Sequence, residues 1–102
     1  MSLTPDRRTL MGAAGDAFET GFDGIIEIQA DDLDPFFIDG RGARCAIADE
    51  APAASDMIWR SSPTTLLSVF QRKRAFENAY LSGRLTISGD MSVMARLALK
   101  GD

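Results

Sequence analysis

The sequence predicts an α+β fold in one domain, 1–102. Three observations carry that expectation. Two stretches alternate apolar and polar residues: Ile26 and Ile28 against Glu27 and Gln29, and Leu85 and Ile87 against Arg84, Thr86 and Ser88. That is the period of a strand with one buried face. Other stretches place apolar residues at i, i+3, i+4 and i+7, as in Leu10, Met11, Ala14, Ala17 and Phe18, or in Met91, Met94, Ala95 and Ala98. Those stripes are helical. Finally, 102 residues leave room for a single modest core.

In order along the chain, Thr4 is expected to cap a first helix, with Pro5 at its first position and Asp6 in the favourable first turn. Gly21 is expected to end it. Asp23 to Ala30 reads as the first strand, with Ile25 interrupting its polar side. Asp31-Asp32-Leu33-Asp34-Pro35 is a turn, because Pro35 has no N–H to pair. Phe36 to Ile38 and Arg44 to Ala48 form a hairpin about Asp39-Gly40-Arg41-Gly42, with Cys45 and Ile47 on its inner side. Asp56 to Ser61 is a further strand, Met57 and Trp59 on one face and Ile58 on the other. Ser62 caps the next helix, Pro63 opens it, and Leu66, Leu67 and Phe70 form its apolar edge. The basic segment Gln71-Arg72-Lys73-Arg74 leads into a helix that Gly83 stops. After the strand containing Leu85 and Ile87, Gly89-Asp90 turns the chain into a terminal helix. Asp90 is placed to accept from that helix's free N–H groups.

Composition narrows the function classes. The formal charge is −4. Nucleic-acid binding usually needs a basic surface, so none is expected, and purely electrostatic docking on anionic lipid is disfavoured. One cysteine, Cys45, permits no intrachain disulfide, which favours a reducing compartment. No apolar run approaches the roughly 18 residues of a membrane span, and no long apolar secretory segment opens the chain. The residues Leu99-Lys100-Gly101-Asp102 are not a Ser-Lys-Leu address. A cytoplasmic protein is the expectation.

Catalytic machinery is hard to assemble from these residues. There is no histidine, so neither a Ser-His-Asp nor a Cys-His unit exists within the chain. Cys45 reads as a small apolar residue rather than a nucleophile. Asp31, Asp32 and Asp34 lack the spacing and central glycine of a calcium loop, and Gly40-Arg41-Gly42 matches no phosphate-binding fingerprint. No metal, no cofactor and no enzymatic activity are expected. Arg72, Lys73 and Arg74 read as a solvated helix end, with a membrane surface or a lipid headgroup as the sharper alternative.

The run Ala75 to Leu99 resembles the C-terminal signature of the sterol carrier protein 2 (SCP2) family. Its most specific part is Gly83-Arg84-Leu85-Thr86-Ile87-Ser88-Gly89-Asp90-Met91. The resemblance implies a five-stranded mixed β-sheet with helices packed on one face, enclosing an apolar tunnel for a lipid. It also changes the meaning of the apolar stripes. Taken alone, Phe70, Phe76, Tyr80, Met91, Met94 and Leu97 are core packing. With the resemblance, they become a tunnel wall together with Trp59, Leu85 and Ile87. Methionine suits such a wall because it is unbranched and polarizable, and Tyr80 offers a hydroxyl to a ligand's polar end.

The implied function is non-catalytic binding or transfer of a fatty acyl chain, fatty acyl-CoA, isoprenoid or sterol-like lipid. Partners would be that lipid, with transient membrane contact or lipid-biosynthetic enzymes alongside it. Two alternatives stand beside it: an accessory protein presenting isoprenoid-quinone precursors to biosynthetic enzymes, and a protein-interaction module whose tunnel is filled. Phe36 and Phe37 are bulky enough to do the filling. The oligomeric state is not legible at this level.

Overall fold

A computed structural model describes residues 4–97. Its elements are α1 (Arg7–Ala17), β1 (Ile25–Ala30), β2 (Phe36–Asp39), β3 (Ala46–Ala48), β4 (Met57–Ser61), α2 (Pro63–Gln71), α3 (Lys73–Leu81), β5 (Thr86–Gly89) and a single 3-10 turn, Met94–Arg96. The strands form a five-stranded sheet in the order β3-β2-β1-β4-β5. β1 and β4 pair in parallel, and every other neighbouring pair is antiparallel, so the sheet is mixed.

Register builds the core in rows across the sheet. Ile47, Ile38, Ile26 and Met57 meet in one row, and Phe36, Ile28, Trp59 and Ile87 in the next. Paired residues share a face, so these two rows form one apolar surface. All three helices reach it through aromatic rings. Phe18, at the end of α1, meets Trp59 edge-on at 5.6 Å; Phe70 of α2 meets Phe36 at 6.5 Å; Phe76 of α3 lies 5.3 Å from Trp59. The helices therefore pack on one face. On the opposite face Ile25 is buried, in keeping with its interruption of the polar pattern there.

Local chemistry sets most of the boundaries. Ser62 accepts from the Thr65 N–H at the start of α2, with Pro63 at its first position. Gly83 takes φ +81° immediately after α3, a left-handed conformation that glycine adopts without strain. Asp32, at φ +64°, carries the chain out of β1, where Leu33 N–H bonds the Ala30 carbonyl.

Three expectations are corrected. The cap of α1 is Asp6, whose carboxylate accepts from Thr9 N–H at 2.8 Å; Thr4 and Pro5 lie ahead of it. Aspartate accepts at least as well as threonine, and two residues further on it meets the free N–H groups directly. That helix stops at Phe18, before Gly21, as Phe18 turns its ring into the core. The basic segment is not a single helix end. Arg72 is extended, closing α2 through its N–H to the Ser68 carbonyl, while Lys73 and Arg74 open α3. Only Arg72 therefore sits where a helix dipole favours a cation.

The third correction concerns residues 91–97. Among the described residues they form no α-helix; Ala98 and Leu99 lie outside them. Asp90 accepts from both the N–H and the hydroxyl of Ser92, and i to i+3 bonds follow from Val93 to Leu97. Val93 is driven into the core at 1% exposure, and Arg96 bonds backbone carbonyls of Phe22 and Asp23. Those anchors favour the tighter 3-10 winding over an α-helix.

Candidate functional site

The nine residues expected to bind a ligand come from four places: β4, the α2 edge, α3, and the segment from Leu85 to Leu97. The structure sorts them into three groups. Trp59, Phe70 and Leu85 are buried in the core. Phe76, Ile87, Met94 and Leu97 are half-buried and packed against it. Tyr80 and Met91 are exposed, at 43% and 48%.

Trp59, Phe76 and Tyr80 are brought together. Phe76 and Tyr80 lie four residues apart on α3, one turn of the same face. Their rings stack at 6.3 Å with planes 7° apart, and the Phe76 ring in turn tilts over Trp59 at 5.3 Å. A row of rings thus runs from the surface to β4, the strand beside one edge of the sheet. Ile87 flanks it, directly across the β4–β5 ladder from Trp59. Phe70 belongs elsewhere, lodged between Phe18 and Phe36.

The main backbone approach of α3 is to α2, and its link to the sheet runs largely through side chains. Leu85 N–H bonds the Ala79 carbonyl, fastening the C-terminal end of α3 to the start of the last strand. β5 is an edge strand, so the row lies near one margin of the sheet.

Two residues were missed. Phe18 touches both Trp59 and Phe70; its helical stripe marked it as core and gave no sign of those partners. Leu81 is 82% exposed beside Tyr80. The run Ala79-Tyr80-Leu81 is too apolar for a single helix face, and that was the available signal.

Two recesses are lined by residues outside the row Tyr80, Phe76, Trp59. One of about 570 Å³ is lined by Phe18, Thr20, Arg44 and Cys45 among others. Another, of about 390 Å³, gathers Asp31, Arg60, Ser62, Thr65, Arg84 and Thr86. Neither is lined by the nine apolar residues. Burial, and after it the charge of Asp39, raises the Cys45 thiol above its ordinary pKa, while Sγ donates to the Thr20 carbonyl at 3.3 Å. A thiol so placed stays protonated near neutrality, a poor nucleophile. Among the described residues, no three His, Cys, Asp or Glu side chains gather as metal ligands, and no helix is long and apolar enough to cross a membrane.

The profile of the SCP-2 sterol transfer family matches residues 13–99, most of the chain. The chain belongs to the SCP-2 sterol transfer family. Solved structures of SCP2 domains share its fold at low identity. It resembles UbiJ-SCP2, a ubiquinone synthesis protein, with a TM-score of 0.58 and 13% identity over 92% of this chain and 77% of that one. It also resembles sterol carrier protein domain 2 of Helicoverpa armigera, with a TM-score of 0.61 and 14% identity over 89% and 69%. Sterol carrier protein 2 like 2 of Aedes aegypti gives a TM-score of 0.54 and 16% identity over 86% and 84%. No curated protein sequence matches. The five strands, α2, α3 and the Gly83–Met91 run fall inside the residues matched by the SCP-2 family, and α1 does so from residue 13 onward.

Proposed function

We propose that this SCP-2 family chain binds and carries a lipid whose apolar body lies between α3 and the β4–β5 margin of the sheet. The observation that carries this reading is the ring row Tyr80, Phe76, Trp59, which joins exposed apolar surface to the deepest aromatic residue of the core. Apolar residues exposed side by side, as Tyr80 and Leu81 are, mark binding sites more than singly scattered ones do. Tyr80 and Leu81 form the lipid's way in, at the start of β5, and Ile87, Met94 and Leu97 flank its path. Binding draws on burial, about 25 cal/mol for each Å² of apolar surface removed from water. The ligand is a fatty acyl or isoprenoid chain, and the chain performs no covalent chemistry on it.

Native mass spectrometry of protein purified from its own host tests this. A stoichiometric lipid is expected, and it is lost when half-buried Met94 is changed to Glu while the circular-dichroism spectrum is kept. A clean apo mass, with no uptake of fluorescent fatty acyl or isoprenoid probes, sinks the reading. It would leave a module with a filled interior, which the full burial of Trp59, Phe70 and Leu85 favours. A second reading, presentation of isoprenoid-quinone precursors to biosynthetic enzymes, is favoured by the shared fold with UbiJ-SCP2. Co-purification with quinone-pathway enzymes distinguishes it from free transfer.

A further inference from the structure

Trp59 is completely buried, and its indole Nε1 has no hydrogen-bond partner among the described residues. A buried donor left unpaired costs about 1–3 kcal/mol, and native proteins keep few of them. Elsewhere in the same interior the rule is obeyed: Ser61, also buried, donates through Oγ to the Arg84 carbonyl at 2.6 Å. Around Trp59 the neighbours are rings, Phe18 at 5.6 Å and Phe76 at 5.3 Å, and a ring face is a weak acceptor. The unpaired donor stands at the inner end of the ring row that begins at Tyr80.

We infer that Trp59 Nε1 donates a hydrogen bond to a carbonyl oxygen carried within the apolar body of the bound lipid, as in an ester, a ketone or a quinone. This rests on the lipid-carrying reading and adds the chemical class that the site selects. The choice of a carbonyl follows from the surroundings. A pure hydrocarbon leaves the indole N–H unpaired. An alcohol supplies an acceptor but brings a hydroxyl donor of its own into a wall of Phe18, Phe76 and Ile87 side chains, where it too needs a partner. A carbonyl oxygen accepts and brings no donor. Phe76 is half-buried on a helix whose backbone rests mainly on α2, so its ring swings aside without breaking the β4–β5 ladder.

Trp59 is the sole tryptophan, so its indole N–H is a single reporter. Protein carrying nitrogen-labelled tryptophan is titrated with three probes of matched size: di-n-octyl ketone, n-heptadecane and di-n-octyl carbinol. The ketone is expected to move the indole proton downfield and to bind roughly tenfold more tightly than the alkane, the worth of one hydrogen bond regained in an apolar site. The alkane leaves that proton in its apolar position. In Trp59→Phe, which keeps an aromatic ring but removes the donor, the ketone's advantage over the alkane disappears, whatever the change in the affinity of either probe alone. If ketone and alkane bind the wild type equally and no downfield shift appears, the carbonyl assignment is wrong while lipid carriage stands. If none of the probes binds, both fall. Should Trp59→Phe not fold, the indole shift of the wild type decides alone.

Discussion

Arg96 donates through Nε to the carbonyl oxygen of Phe22 at 2.8 Å, and through Nη2 to that of Asp23 at 3.2 Å. The pair joins the segment after β5 to the residues just ahead of β1, some seventy residues away in sequence. Asp23 is itself in the left-handed region at φ +58°, so Arg96 braces a backbone position that aspartate occupies at some cost. Val93 works beside it, its methyl groups 3.4 Å from where a Cβ on Gly24 would stand.

Removing the Arg96 brace is expected to loosen this end of the molecule before the sheet. Arg96→Ala should lower stability by about 1–2 kcal/mol, the range for hydrogen bonds to a charged donor at a partly exposed site. Hydrogen exchange should quicken at residues 93–97 and not in β1 or β4. Uniform quickening across the sheet would show that the brace holds the whole fold rather than one segment.

Gly83 and Gly89 both have positive φ, but they are expected to respond differently to alanine. A Cβ on Gly83 meets nothing within 4 Å, so Gly83→Ala carries only the left-handed penalty, about 1–2 kcal/mol. A Cβ on Gly89 falls 2.4 Å from the Asp56 carbonyl oxygen and 2.9 Å from the Met57 Cα. Backbone cannot step aside, so Gly89→Ala adds overpacking to strain, on the order of 3 kcal/mol in all. Urea denaturation of the two variants checks the order; equal losses would contradict it.

Three carboxylates sit below their ordinary pKa of 3.8: Asp6 through the Thr9 N–H, Asp39 through the Arg41 side chain, and Asp90 through Ser92. Each binds fewer protons folded than unfolded. The stability they supply is therefore complete above 3.8 and is lost as pH falls through their lower folded values. The urea midpoint should be level between about pH 5 and 7 and then fall with acid. The triple variant Asp6→Asn, Asp39→Asn, Asp90→Asn should start lower at neutral pH and approach wild type as acid protonates the three folded-state carboxylates. A gap that stays constant with pH would show that the loss is steric rather than ionic.

Cys45 should react slowly. Burial raises its thiol pKa, and Sγ is already engaged with the Thr20 carbonyl. Alkylation by iodoacetamide at neutral pH is expected to run at least about tenfold slower in the native protein than in urea. Equal rates would place the thiol in open solvent.

Much of the sheet was legible because its evidence is local. Ile26 and Ile28 against Glu27 and Gln29, and Met57 and Trp59 on one side of β4, needed only a period of two, and the register bears them out. Ser62-Pro63 and Gly83 announced their helix boundaries for reasons internal to the backbone. Less could be read from the apolar stripes. Phe70 and Phe76 lie close together in sequence, yet one is locked between Phe18 and Phe36 while the other is half-buried over Trp59. Periodicity shows that a face is apolar and is silent about what covers it. The stripe through Met91, Met94 and Ala95 failed for a related reason: Val93 and Arg96 found partners near β1 that no local pattern could reveal.

By itself, the sequence determined the α+β class, the strand faces, the start of α2, the end of α3 and the absence of a histidine-based catalytic unit, because dihedral preferences, capping and side-chain alternation act between near neighbours. Only the tertiary structure decided that Arg96 braces Phe22, that residues 94–96 wind as a 3-10 turn, and that Tyr80, Phe76 and Trp59 line up from surface to core. Those outcomes depend on contacts between residues distant in sequence, where a hydrogen bond or a ring's burial outweighs the small free-energy differences that separate one local conformation from another.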